Sequence, residues 1–583
     1  MHHHRNWARI FFSFIFSATT LNAGGTHTLL LPPPQMELPV PKKTRSIVVY
    51  QAAALPPPRV IAHFDTEVVK TPNHFNNRLK QHFSPRYIPI PADAFRLFSL
   101  SDVVRFALAK NPIILIRLTD IEGNRGNWQS AYGEFDTTYN ARFIQDHTAT
   151  PFTLANSVSS GVFGTKRDTS TLETGFSKKF TNGMVFTPSV SIEASQDTLK
   201  RQSLQATENR ATVDFAISIP LLRDRTVATT APTLSAKLRF KASIADAVHE
   251  ASLTISNSIQ AYWDYHAALL NWEVQREAEK RAKTLLKNTR ILAEKNEVPR
   301  SDIDLAKADY NIKLQNTLVA QNNYYRDRAT LAGIIGLDPM MQQHLPSPKT
   351  PFPKASTKAL PKYRSIDNYV RHALEHREDL KARNLITKSN KVLAHGARAS
   401  EQPQLNLGLD VGYSGLHEGN DFFSSLNDRT QGANYGASLD FSYPINNNER
   451  RGEYRSALAA YMRASIEEHD LARNINIEIH RIVKQLPIAS RRLSKTAEAV
   501  RLYKISVDNE RIKFRLGEAT IIDVIRVQDQ LLTAELNNVN AKNEYAKLLI
   551  QFMFETGTLI TQLDHLHYNV NLPFILGKEL RHG

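Results

Sequence analysis

The chain has 583 residues, a formal net charge of +16 and no cysteine. Its length suits several domains or one large elongated one. The missing thiols exclude a disulfide scaffold, a thiolate metal centre, a cysteine nucleophile and a lipidated cysteine anchor. The positive charge raises nucleic-acid binding, yet Lys and Arg are spread along amphipathic helical stretches instead of gathered beside aromatics. No nucleic-acid partner is expected.

Residues 1–23 are read as a signal peptide, with a cationic start at Met1–Arg9, an apolar core at Ile10–Ala18 and cleavage after Ala18 or Ala23. The core is too short for a bilayer, which takes ~20 apolar residues. No other run approaches a membrane helix, so a mature chain that crosses a membrane must use β-strands. Residues 24–96 form a Pro-rich linker or surface strap, because "LPPPQMELPVP", "LPPPRV" and "IPIPAD" favour extended conformations.

"FSLSDVVRFALAKNP" (Phe98–Pro112) predicts a helix. Ser99 and Asp102 have capping-box spacing, and Val103, Val104, Ala107 and Leu108 share a face. A weak strand at Tyr139–Phe143 follows, then a hairpin over Thr174–Ala194 that turns at Asn182–Gly183. Val213, Phe215, Ile217 and Ile219 then alternate with Thr212, Asp214, Ala216 and Ser218 as a strand. Past Pro232 no further Pro or Gly interrupts the sequence to Asn296. At ~1.5 Å per residue this predicts a helix of roughly 100 Å. A turn at Asn296–Ser301 leads to a helix in which Ile303, Tyr310, Thr317, Tyr324 and Leu331 recur every seven residues.

The second half repeats this order. "YRSIDNYVRHALEHRED" (Tyr363–Asp379) places Ala373–Leu374 where the first opener has Ala107–Leu108. Leu405, Leu407, Leu409, Val411 and Tyr413 form one strand face, and Tyr435, Ala437, Leu439, Phe441 and Tyr443 another. Glu449–Leu516 predicts a second long helix, with a kink or break expected at Pro487. Beyond a turn at Gly517–Thr520, Val524, Leu531, Asn538, Tyr545 and Phe552 again recur every seven. Aligning the apparent caps, Ser301–Asp304 with Thr520–Asp523, gives an offset of 219 (523 − 304), whereas the heptads give 221 (524 − 303). The alignment at the turns is therefore open.

Such alternating strands also describe a soluble sheet with one wet face. The export signal and the partly aromatic apolar face favour a barrel with lipid outside and water inside. Four to six strands fall short of the ~8 of the smallest such barrels, so the chain needs copies of itself.

At this point the chain resembles the TolC-like outer membrane efflux protein family. The residues that carry the resemblance are the paired openers, "GEFDTTYNARF" (Gly133–Phe143), "ISIPLLRDR", "FSYPINNNERR" and "RLGEATIIDVIRVQDQLLTAELNNVNAKNEYAKLL" (Arg515–Leu549). The likeness runs from about Leu97 to Thr558. It implies an α+β membrane protein, a homotrimer whose outer-membrane β-barrel continues into a long periplasmic α-helical coiled-coil barrel. Two internal repeats, 97–340 and 363–558, would be joined by a linker at 341–362 and followed by a tail at 559–583. The implied role is the exit duct of a tripartite efflux pump, fed by an inner-membrane transporter through a periplasmic adaptor, with no enzymatic activity and no cofactor. Type I protein secretion is the alternative on the same fold, and a periplasmic coiled-coil scaffold with a soluble sheet is the alternative of another class. The hairpin at Thr174–Ala194 exceeds the four strands per protomer of the simplest members. It either lengthens an extracellular loop or adds strands to the barrel; the favoured expectation is longer strands and loops on a twelve-stranded trimeric barrel.

The resemblance further implies that the two turns form a periplasmic tip where the adaptor docks and the pore is pinched. Gly517, Glu518 and Thr520 fall there, as do Asn296, Pro299 and Ser301. Asp523 resembles an acidic gate position, with Asp302 or Asp304 as its first-half partner; Arg526 stands where some members carry a second Asp. The residues fit helix capping equally well. Thr520 with Asp523, and Ser301 with Asp304, have capping-box spacing, and Gly517 reads as a left-handed C-cap. His372 and His376, spaced i, i+4, lack a third ligand nearby, so no metal site is expected.

Overall fold

The computed structural model describes residues 98–154, 156, 158, 163–197, 207–337, 345–355, 365–419, 421–427, 430–564 and 567–570. The expected signal peptide and Pro-rich segment lie outside these residues.

Helix α1 (Leu100–Lys110) begins at the expected capping box: Asp102 N–H donates to the Ser99 hydroxyl and Ser99 N–H to the Asp102 carboxylate. Asn111 caps α2 (Pro112–Tyr132), where Pro112 takes the first helical position, whose N–H would have no partner inside the helix. Four strands follow, β1 (Thr137–Pro151), β2 (Gly164–Lys179), β3 (Val185–Asp197) and β4 (Glu208–Pro220). The long helix α3 (Thr226–Glu294) and its partner α4 (Ser301–Ile334) form a hairpin. The same order recurs with fewer strands: α5 (Ile366–His376), α6 (Glu378–Ala399), β5 (Gln404–Glu418), β6 (Thr430–Ser442), α7 (Asn448–Arg515) and α8 (Ile521–Glu555). Strands β7 (Ile560–Asp564) and β8 (His567–Val570) close the described chain as a separate hairpin.

Of the kink or break expected at Pro487, the break does not occur: helix α7 runs unbroken through it. One proline removes a single backbone hydrogen bond, and the flanking Ile482, Leu486, Ala489 and Leu493 are all buried, so packing holds the helix across the defect. With β2 and β3 in one sheet of order β1-β2-β3-β4-β5-β6, the hairpin at Thr174–Ala194 adds two strands to the four around it. Its turn is the expected one: Gly183 has φ +90, and a Cβ there would lie 2.1 Å from the Asp224 carbonyl oxygen.

Neighbouring strands of the sheet are antiparallel throughout, and their register keeps one side apolar and the other polar. The row Ala141, Thr174, Val190, Val213, Tyr413, Ala433 crosses all six strands. One residue along each strand, the row Asn140, Gly175, Ser189, Asp214, Gly412, Asn434 lies on the other side. This is the period-two pattern of a sheet between unlike surroundings. The apolar side is largely bare at the sheet's edges, where Tyr435 is 86% exposed and Phe143 65%, and covered on β3 and β4, where Ile192 and Ala211 are buried. On β1 the apolar stripe ends at Phe143, and His147 further out bonds Asp168 of β2 at 2.6 Å.

Both strand-to-helix junctions use a left-handed residue with a short polar side chain, Asp224 (φ 65) before α3 and Asn447 (φ 43) before α7. Below the sheet, α1 and α5 pack with the middles of the long helices in the largest core. Trp263, Tyr262 and Tyr265 of α3 and Tyr545 and Phe552 of α8 are its largest fully buried side chains. Ala107 and Ala373, the matched positions of the two openers, are both fully buried in it. Among the described residues no helix is long and apolar enough to cross a membrane.

Candidate functional site: the two helical turns

The α7–α8 turn is built on Gly517 (φ 76). Glu518 N–H donates to the Lys513 carbonyl at 2.9 Å and Gly517 N–H to that of Phe514 at 3.2 Å, the paired bonds of a glycine C-cap. Thr520 then caps α8 in a full capping box. Asp523 N–H donates to the Thr520 hydroxyl oxygen at 3.3 Å, and Thr520 N–H and Oγ1 donate to Asp523 Oδ2 at 3.1 and 2.6 Å. Arg526 Nη2 reaches Asp523 Oδ1 at 2.9 Å within the same helix. The Thr520 hydroxyl and N–H hold the Asp523 carboxyl below the usual carboxylate range, with Arg526 adding to them. Both readings of Asp523 therefore start from the same fact: its carboxylate caps the helix and is paired with Arg526.

The α3–α4 turn has the same backbone route. Asn296 (φ 62) takes the left-handed position, Asn296 N–H donates to the Ala293 carbonyl at 3.1 Å, and Glu297 N–H donates to that of Leu292 at 2.9 Å. Asn296 thus corresponds to Gly517 at an offset of 221 (517 − 296). The left-handed glycines beyond the hairpins, Gly336 and Gly557, give the same offset (557 − 336). This is the heptad alignment. It pairs Asp302 with Asp523 and sets Pro299 opposite Thr520.

The expected capping box at Ser301 and Asp304 is not formed. Ser301 is the first residue of α4, the cap is Arg300 in helical conformation, and no side chain caps the helix. Proline at the Thr520 equivalent has no hydroxyl to accept a hydrogen bond. Asp302 and Asp304 both lie in the first turn, where their charge meets the helix dipole.

Behind the turns, Leu285 of α3, Ala306 of α4, Phe514 of α7, and Ile521 and Val524 of α8 form a buried cluster that ties the two hairpins together. Nearby, Lys313 of α4 is buried between Asp309, 3.5 Å away on its own helix, and Asp529 of α8, with which it makes a close ion pair. Burial pushes the Asp309 carboxyl up, with Lys313 opposing the shift and Asp529 adding to it. The i, i+4 spacing of Asp309 and Lys313 is visible in the sequence, but the contact to Asp529 crosses between the hairpins and leaves no local signal. Further along, Arg281–Glu535 (3.2 Å) and Asp264–Lys547 (2.9 Å) fasten α8 to α3. An open groove between α7 and α8 is lined by Tyr503, Ile522, Ile525, Arg526 and Asp529, next to the turn.

The His372 and His376 rings stack 4.0 Å apart, and each Nδ1 donates to a backbone carbonyl, that of Thr556 or His372. Among the described residues no group of three or more metal-ligating side chains is present.

Residues 369–558 match the family described as outer membrane efflux protein. No curated protein matches the chain by sequence. Solved structures with a similar fold include the Campylobacter jejuni CmeC outer membrane channel, at 15% identity over 79% of this chain and 85% of that one, with a TM-score of 0.59. The outer membrane protein VceC of Vibrio cholerae is 16% identical over 79% and 96%, TM-score 0.57. The Neisseria gonorrhoeae MtrE outer membrane channel in its open state is 14% identical over 79% and 88%, TM-score 0.55. Residues 369–558 are thus similar to the outer membrane efflux protein family and the chain has the fold of outer-membrane channels, so the resemblance to the TolC-like family holds.

Proposed function

We propose that the protein is the outer-membrane exit duct of a tripartite efflux pump and works as a homotrimer. It passes small molecules delivered by an inner-membrane transporter through a periplasmic adaptor. The observation that carries this reading is the sheet, with an apolar and a polar side in one unbroken register, joined to two long helical hairpins. A soluble scaffold would leave the apolar side in water, at roughly 25 cal/mol for each Å² exposed; lipid removes that cost. The helices α3 and α7, 69 and 68 residues long, give a duct of roughly 100 Å at ~1.5 Å per residue. That reach suits a periplasmic crossing.

The turns Asn296–Ser301 and Gly517–Thr520 are then the periplasmic tip and the adaptor contact. Asp302 and Asp523 are aligned around it, with Arg526 partly neutralising the second position. The gate on this reading is a ring of mixed charge, not a purely acidic one.

Reconstitution tests both levels. The duct reading expects a detergent-dependent trimer that dissociates on heating and conducts in planar bilayers. A monodisperse monomer in plain buffer would overturn it. For the gate, Asp523→Asn and Asp302→Asn are expected to shift conductance or cation preference; unchanged conductance in both leaves the aspartates with structural roles alone. Co-purification with a peptide-exporting ATPase instead of a drug transporter would favour the type I secretion reading.

A further inference from the structure

We infer that hairpin β2–β3 is part of the membrane wall, so that three copies of this chain close a barrel of eighteen strands, the β1 edge of each copy pairing with the β6 edge of the next. The inference rests on the trimeric duct proposed above and adds its width.

The first observation is the position of the hairpin. β2 is bonded on one side to β1 and on the other to β3, which is bonded to β4. An extracellular excursion would leave β1 paired directly with β4. Here β1 reaches β4 only through the hairpin. The second is continuity of both faces. Leu172 and Ile192 complete the apolar row between Phe143 and Ala211, while Gly175 and Ser189 complete the polar row between Asn140 and Asp214. A hairpin standing in water beyond the membrane would have no reason to keep this division in phase with the other four strands. The third is parity. Six antiparallel strands set β1 and β6 in opposite directions, so identical copies join edge to edge with antiparallel pairing all round.

The two edges need a partner. Strands β1 and β6 have 15 and 13 residues, each with a row of main-chain N–H and C=O groups facing away from the sheet. In hydrocarbon those groups must be satisfied by another strand. A second copy supplies a matching one, because odd-numbered residues carry the apolar side on both edges: Tyr139 and Phe143 on β1, Leu439 and Phe441 on β6. Registers that set odd-numbered residues of β1 opposite odd-numbered residues of β6 keep the lipid surface continuous. Barrel diameter grows roughly linearly with strand number, so eighteen strands make a wall about 1.5 times as wide as twelve, in the range that encloses an aqueous channel.

The absence of cysteine makes spin labelling direct. Single variants Val190→Cys on β3, Ser189→Cys beside it and Val411→Cys on β5 are labelled with a nitroxide in the full-length protein in liposomes, each first shown to retain the heat-sensitive trimer. Collision rates with oxygen, which concentrates in lipid, and with a water-soluble nickel chelate are then compared. The expected result is a lipid signature at Val190→Cys equal to that at Val411→Cys, with the chelate favoured at least fivefold at Ser189→Cys. A chelate-accessible Val190→Cys beside a lipid-exposed Val411→Cys overturns the eighteen-stranded wall and leaves the duct reading standing. Chelate access at both positions overturns the duct reading itself. For the edges, Asn140→Cys or Arg142→Cys is combined with Ser438→Cys or Asp440→Cys. Oxidation should link copies covalently in at least one of the four pairings, and no cross-link in any of them removes the β1–β6 contact.

Discussion

The two helical turns share a backbone and differ in the chemistry that holds it. Both reverse the chain at a left-handed residue, Asn296 or Gly517, and both send the next N–H back to a carbonyl of the preceding helix. At Gly517 the following helix is closed by Thr520, Asp523 and Arg526. At Asn296 the corresponding positions hold Pro299 and Asp302, and no side chain caps α4. The route of the chain at a turn is set by packing behind it, here the cluster of Leu285, Ala306, Phe514, Ile521 and Val524. Cap chemistry adds about 1 kcal/mol on top, so it is free to diverge.

Four experiments would break or sharpen this comparison. The largest effect is expected from Lys313→Met, which strands Asp309 against the interior and cuts the link between α4 and α8. Breaking a fully buried pair costs ~3–5 kcal/mol; because Asp529 is half exposed, the expected loss is about 2 kcal/mol, read by chemical denaturation. Next comes the left-handed position. A Cβ at Gly517 meets nothing within 4 Å, so Gly517→Ala should cost only the backbone strain of about 1 kcal/mol. Asn296→Gly should change stability by no more than a few tenths. Equal losses at both positions would show that the turns are not built alike.

The third experiment separates the caps. Thr520→Ala should destabilise by about 1 kcal/mol, whereas Pro299→Ala removes no side-chain cap and should lack a comparable loss. The smallest effects are in the pH dependence and have opposite signs. The folded value of Asp523 is depressed, so its stabilisation is complete above the unfolded value of about 4 and drains away as pH falls through the folded value. That of Asp309 is raised by burial, so stability declines as pH climbs from about 4 through the raised value. Asp523→Asn should remove the first slope and Asp309→Asn the second in thermal melts from pH 3 to 7. A melt of Asp309→Asn that keeps the upward-pH decline would place its origin elsewhere.

Much of this architecture is legible in the sequence because it is local. The capping boxes at Ser99 and Thr520 follow from three-residue spacings, and the turn at Asn182–Gly183 from a dipeptide. The faces of β4, β5 and β6 follow from alternation. The same local rule fails at Ser301, where the spacing to Asp304 imitates a capping box inside the first turn of the helix. It fails again at Pro487, where helix-breaking propensity loses to the burial of Leu486 and Ala489 on either side.

By itself, then, the sequence determined the opener helices, the long hairpins, the apolar face of the alternating strands, and which residues can cap a helix. Each of these depends on neighbours within a few positions; α2, α6 and the β7–β8 hairpin had no such local reading. Tertiary structure alone decided that β2 and β3 stand between β1 and β4, that Asp302 and not Asp304 aligns with Asp523, and that Lys313 bridges to Asp529. Alternation specifies a strand's two faces but not its partners, and a charge's spacing on one helix says nothing of the helix beside it. Those choices are made by contacts between residues far apart in the chain.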